Sequence, residues 1–167
     1  MFRRPLGLVA ALVALVVASA CGPDVDVAKS ITVTDVISGY YDNGLKNGWN
    51  YLMPSITFRL ANSAPSSVTG LELTVAYWQD GKDGEWDSVL LQRIGNDTIP
   101  AGGKSDPVTV RGTVGYRLED VRNNLFTHHS FVDVTAKIFA RRGGRIYPIG
   151  NVKLEHQILP HVRSGRP

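Results

Sequence analysis

The sequence predicts an all-β fold, a sandwich of about seven strands behind a short apolar helix. Three observations carry this. Apolar and polar residues alternate over several stretches, the pattern of a strand with one buried face. Clusters rich in glycine, asparagine and proline separate those stretches. The chain has 167 residues, 43% hydrophobic and 20% charged, a globular balance that excludes an acidic disordered chain, a collagen repeat and a disulfide-dense mini-protein.

The strands follow in order. Ile31–Ile37 is the first. Ile56, Phe58 and Leu60 alternate with Thr57 and Arg59, and Leu71, Leu73, Val75 and Tyr77 with Glu72, Thr74, Ala76 and Trp78. Trp86–Ile94 and Pro107–Arg111 are two more. Val132, Val134, Ala136 and Ile138 alternate with Asp133, Thr135 and Lys137, and Val152, Leu154, His156 and Ile158 form a last series. Turns lie at 62–67, 80–84, 101–103 and 142–144. One segment has a different period: Leu118, Val121, Leu125 and Phe126 stand at helical spacing, with Glu119 and Asp120 where anions suit a helix N-terminus, so Tyr116–Phe126 predicts a short helix crossing between sheets. The alternation fixes the faces. Phe58, Leu73, Val75, Val134 and Ile138 belong inside, and Arg59, Glu72 and Lys137 outside, because a slip of one residue inverts a strand.

The N-terminus reads MFRRPLGLVAALVALVVASACGPD. Two arginines precede an apolar run from Leu6 to Ala20, short for a membrane span of about 20 residues but of the size of a secretory signal. This run predicts a helix that packs little against the domain. Ala18-Ser19-Ala20-Cys21 resembles the lipobox of bacterial prolipoproteins. That resemblance implies cleavage before Cys21, which becomes the mature N-terminus and carries thioether-linked diacylglycerol, often with N-acylation. Two or three acyl chains hold a protein stably where one does so marginally. Cys21 is the only cysteine, so no intramolecular disulfide can form. Gly22 follows it where a retention aspartate would otherwise stand, which implies the periplasmic face of the outer membrane in a Gram-negative host. The expected organisation is a signal peptide at 1–20, lipidated cysteine and tether at 21–30, a sandwich domain at 31–160 and a C-terminal tail at 161–167.

Charge adds an exclusion. Lysine and arginine number 18 against 15 aspartate and glutamate, but Arg3 and Arg4 leave with the signal, so 16 stand against 15 in the mature chain. No basic field remains for nucleic acid.

At domain level, Ile56–Ser63, Leu71–Tyr77, Asp80-Gly81 and Ile99-Pro100-Ala101-Gly102 resemble the FxLYD-type bacterial extracytoplasmic domains. These pair a strand ending in Asn-Ser or Asn-Thr with a strand ending near Asp-Gly and a later hydrophobic-Pro-x-Gly turn. The likeness covers residues 55–111. It implies an immunoglobulin-like sandwich, often on a lipoprotein, with no catalytic residues to carry over.

No local motif supplies an active site. Gly103-Lys104-Ser105 lacks the first glycine of a phosphate loop, since Thr98 stands there, and Asp106-Pro107 follows; a strand-joining turn is the better reading. No G-x-S-x-G elbow occurs. Four carboxylates in Asp80–Asp87 suggest calcium, but Lys82 occupies the third position of an EF-hand pattern, and a solvated turn is the better reading. Adjacent His128 and His129 point apart in an extended chain, though a loop would bring them together, and His156, on an apolar face of the last strand, reads as a satisfied interior or rim histidine. Asn96-Asp97-Thr98 matches a glycosylation sequon that a bacterial lipoprotein would ignore. No metal, cofactor or enzymatic activity is expected.

Gly39–Tyr51 gathers Tyr40, Tyr41, Trp49 and Tyr51 among glycines and asparagines, in what reads as a loop of about a dozen residues. Two readings stand: Trp49 and Tyr51 plug the end of the core, or the aromatics form a recognition surface. The expected function is a non-catalytic interaction module, anchored in the bacterial envelope and binding another envelope protein. The alternative is a glycan- or small-ligand-binding lipoprotein that uses this segment. Burial of Tyr40, Tyr41 and Trp49 would remove the glycan reading.

Overall fold

The computed structural model describes residues 25–91, 94, 98–119 and 122–160. The helix and signal peptide expected over 1–20, Cys21, the expected tail at 161–167 and most of the sequon at 96–98 lie outside the described residues. Within them the chain is a β-sandwich. A single helical turn, α1 (Val27–Ser30), leads into β1 (Ile31–Lys46), β2 (Trp49–Asn62), β3 (Val68–Thr69), β4 (Glu72–Gln79), β5 (Asp87–Leu91), β6 (Thr98–Ile99), β7 (Val108–Arg111) and β8 (Tyr116–Leu118). A 3₁₀ helix (Arg122–Thr127) precedes β9 (Val134–Arg142), β10 (Arg145–Lys153) and β11 (Ile158–Leu159).

The first sheet runs β11-β1-β2-β7, with β8 also on β2, and the second runs β10-β9-β4-β5. Strands β3 and β6 form a separate ribbon. Four of the eleven strands have only two or three residues, which leaves the seven expected. The chain passes from the first sheet to the second after β2 and again after β8, so the third, fourth, sixth and seventh long strands share one sheet. That is the immunoglobulin-like order.

Phe58, Leu73, Val75, Val134 and Ile138 are all fully buried in one core with Ile56, Leu60 and Leu52. Arg59, Glu72 and Lys137 keep solvent contact, so the register read from alternation holds in all three strands. The Tyr77 hydroxyl donates to the Val110 carbonyl at 2.9 Å, tying the sheets together.

Four expectations are corrected. The helix expected over Tyr116–Phe126 is a strand followed by a 3₁₀ helix. Tyr116 and Leu118 pair with Leu52 and Asn50 of β2, and both are buried on the inner face. The sheet edge wins over the helical spacing, while Leu125 still enters the core and the short helix still makes the crossover. The strand expected over Trp86–Ile94 is shorter: Trp86 precedes β5 and Ile94 follows it. The last strand divides. β10 ends at Lys153, and after a bend β11 joins the first sheet, parallel to β1. Gly39 permits that approach, because a Cβ there would meet the Gln157 carbonyl at 2.6 Å. The later part of the segment expected as a tether at 21–30 is docked on the sandwich. Val27 is buried, Val25 packs on the core, and Arg142 donates to the Val25 carbonyl at 3.4 Å. Among the described residues the packed chain thus starts at Val25, four positions after Cys21 in the sequence.

Candidate functional site

Gly39–Tyr51 is not a loop. It is the far end of a hairpin in which β1 and β2 pair from Ile31↔Asn62 to Lys46↔Trp49. The turn is Asn47-Gly48, with φ of 51° and 80°. Two successive positive φ values are the mark of a type I′ turn, and Asn-Gly is its preferred pair. Pro54 lies inside β2, where its missing N–H would usually break pairing. Here it faces the gap between β7 and β8. The N–H and C=O of one strand residue point to the same edge, and the Pro54 carbonyl accepts there from Gly112 at 2.8 Å.

Strand alternation then separates the four aromatics. Tyr40 points inward and is fully buried, so it is no recognition residue. Tyr41, Trp49 and Tyr51 point outward and are half-buried. Each lies under a cation. Arg111 reaches from β7 across β2 and sets its guanidinium 3.9 Å from the centre of the Tyr41 ring. Arg117 stands opposite Tyr51 and covers its diagonal neighbour Trp49 at 3.8 Å. Lys46 stands opposite Trp49 and reaches the Tyr51 ring at 5.9 Å. These distances are those of cation–π contact. The three cations are exposed over the half-buried rings. None of them has an ion pair among the described residues, whereas Arg141 bonds Glu72 and Lys104 bonds Asp35.

On the inner side, Tyr40 joins an aromatic cluster. Its ring lies 5.9 Å from Tyr116, 5.6 Å from Phe126 and 5.7 Å from Phe131. Trp86 packs on Tyr116, and His156 stacks flat on Phe126. The Tyr116 hydroxyl is well served: it donates to the Val132 carbonyl and accepts from Gln79 at 3.1 Å. The Tyr40 hydroxyl is buried with no hydrogen-bond partner among the described residues. Burial, then the neighbouring Tyr116 and Asp133, push its pKa far above the ordinary tyrosine range, so it stays protonated. At the rim, Asp133 takes Lys153 and His156, each at 2.6 Å. The Lys153 bond first, then the His156 bond, hold its carboxyl below the ordinary range. His156 is thus exposed on one side and satisfied by Asp133 on the other, a rim residue in a bend rather than in a strand.

The other sequence candidates disperse. Asp80 turns to Thr135 and Lys153. Asp87 is buried and accepts from Thr113 and Val114, so it braces the 112–115 turn instead of joining an acidic cluster. His128 and His129 have ring centres 4.4 Å apart, closer than an extended chain allows, and His128 faces the Ser130 hydroxyl. Among the described residues no group of three His, Cys, Asp or Glu is placed to hold a metal. Gly103-Lys104-Ser105 is a strand-joining turn in which the Ser105 hydroxyl accepts from Leu60 N at 3.0 Å. No helix among the described residues is long and apolar enough to cross a membrane.

Sequence reasoning missed Lys46, Arg111 and Arg117. The Asn47-Gly48 turn could have supplied the Lys46–Trp49 pairing. The two arginines come from distant strands, and no local pattern announces them.

No protein-family model matches the chain, and no curated protein matches it. Among solved structures, an X-ray structure of a Northeast Structural Genomics Consortium target is similar over 84% of this chain and 98% of its own, at 16% identity and a TM-score of 0.47.

Proposed function

We propose that this chain is a bacterial envelope lipoprotein held by an acylated Cys21, and that its sandwich is a non-catalytic module which binds another envelope protein. The observation that supports this best is the course of β1. Its first residue adjoins the docked Val25–Ser30 segment, four residues from Cys21, and its last belongs to the hairpin with the cation-covered aromatics. Sixteen strand residues extend about 50 Å. An anchor at one end of that strand leaves the other end facing away from the bilayer, where a partner meets it. With Gly22 after the cysteine, the site of anchoring in a Gram-negative host is the periplasmic face of the outer membrane.

The glycan reading has less support. Sugar stacking needs an open ring face, and Tyr40 is buried while Tyr41, Trp49 and Tyr51 each have a cation over one face.

The test is fractionation of a Cys21→Ser variant in the native host. The expected outcome is a soluble mature protein or an uncleaved precursor. A cleaved Cys21→Ser protein that stays with the membrane would overturn the anchor. For the module, a photo-crosslinker at Leu45 should capture an envelope protein that one at Lys137, on the other sheet, does not; equal yields at both positions would overturn the assignment to the hairpin.

A further inference from the structure

We infer that the outer face of the hairpin docks an extended, acidic segment of a partner protein; this deepens the reading of the domain as an interaction module and rests on it. The inference follows from which groups lie outermost. The aromatic rings are half-buried and the cations lie over them, so an incoming molecule first meets guanidinium and ammonium. An arginine held within 4 Å of a ring centre is already ordered, and these two remain exposed to solvent. Little side-chain entropy remains to be lost when such an arginine takes a carboxylate in bidentate fashion. A cation stacked in this way and satisfied by a carboxylate of its own chain would be structural. Lys46, Arg111 and Arg117 have no such carboxylate among the described residues.

Register gives the spacing. The charged ends lie over Tyr41, which pairs with Met53, over Tyr51 and over Trp49, so the three cations stand level with residues 53, 51 and 49 of β2. Those levels are about 7 Å apart along the strand. That step is two residue rises. An extended segment lying along β2 would meet all three cations with acidic residues on one of its own faces.

The experiment uses the purified full chain in detergent and a synthetic peptide of alternating glutamate and threonine, with the glutamine–threonine peptide as reference. The expected result is binding of the glutamate peptide that weakens as salt rises, and that falls about tenfold or more in Arg111→Gln/Arg117→Gln, the scale of a lost charge-assisted bond. Lys137→Gln should change nothing, although Lys137 also covers a ring, that of Trp78, at 3.8 Å on the other sheet. Arg111→Lys/Arg117→Lys keeps the charge and loses the fork, so it should bind with intermediate strength. It also serves if the glutamine variant fails to fold. Equal binding by wild type and the arginine variants would overturn the inference. So would a glutamine peptide that binds as well as the glutamate one, or tighter binding of a polyuronate than of the peptide, which would assign the face to an anionic glycan. The assay is independent of Cys21, so a failed fractionation test and a failed peptide test are separate results.

Discussion

Tyr40 and Tyr41 are neighbours of the same chemical type, and strand alternation gives them opposite fates. Tyr40 faces inward, loses all solvent contact and keeps an unpartnered hydroxyl within a cluster of rings. Tyr41 faces outward, half-buried under Arg111. The inner side of the hairpin is a core that tolerates an unmet hydrogen bond because the rings around it hold the site in place. The outer side is a surface whose rings are covered by charge rather than by other rings. One strand thus carries a structural aromatic face and a chemically addressable one, and nothing but the side-chain period of two separates them.

The comparison breaks most sharply under truncation. Tyr40→Ala removes a fully buried ring that touches three others and should cost about 3–5 kcal/mol, the usual range for a large buried aromatic. Tyr41→Ala should cost about 1 kcal/mol or less, since it loses a surface cation–π contact and part of its packing. Urea denaturation of both variants measures the difference. Equal costs would mean that the outer ring is as structural as the inner one. A smaller change sharpens the point. Tyr40→Phe deletes only the orphaned hydroxyl and should leave stability unchanged or raise it by about 1 kcal/mol. A clear loss on Tyr40→Phe would mean that the hydroxyl has a partner after all.

Much of this was legible in the sequence, and the parts that were not share a cause. Alternation alone assigned Phe58, Leu73, Val75, Val134 and Ile138 to the core, because a half-buried strand writes its faces into its own residues. The long hairpin was misread as a loop because Gly39, Gly44 and Gly48 punctuate it and its two faces are both aromatic, so no polar–apolar contrast marks the period. Asn47-Gly48 was the available signal: paired positive-φ residues at the centre of an aromatic stretch define a two-residue turn. β8 reads as helix because Leu118 and Leu125 stand at helical spacing, while Tyr116 and Leu118 equally suit a strand, and only the bare edge of β2 decides between the two. Arg111 and Arg117 were invisible as partners of Tyr41 and Trp49, since their meeting depends on the register of β7 and β8 against β2, which no local pattern encodes.

The gentlest probe acts at the rim of the inner cluster, where charge reappears. Asp133 holds Lys153 and His156 while Phe126 and Phe131 pack against the same histidine. Lys153 first, and His156 second, keep the Asp133 carboxyl below the ordinary carboxylate range. A folded-state value below the unfolded one means that the unfolded chain binds the proton more readily, so this carboxylate favours the fold while it is ionised. Its contribution is complete above the ordinary range, near pH 4 and upward, and is lost as pH falls through the lowered value. Lys153 works in the opposite direction. Its bond to Asp133 raises its value, so its share is complete below the ordinary lysine range and is lost as pH rises through the raised one. Between those limits the pair contributes steadily. Asp133→Asn should therefore lower the melting temperature slightly at neutral pH and flatten its decline between about pH 5 and pH 3. Thermal melts of wild type and variant across that range test it, and curves that fall in parallel would mean that the bonds to Lys153 and His156 are too solvent-screened to steady the aromatic cluster beneath them.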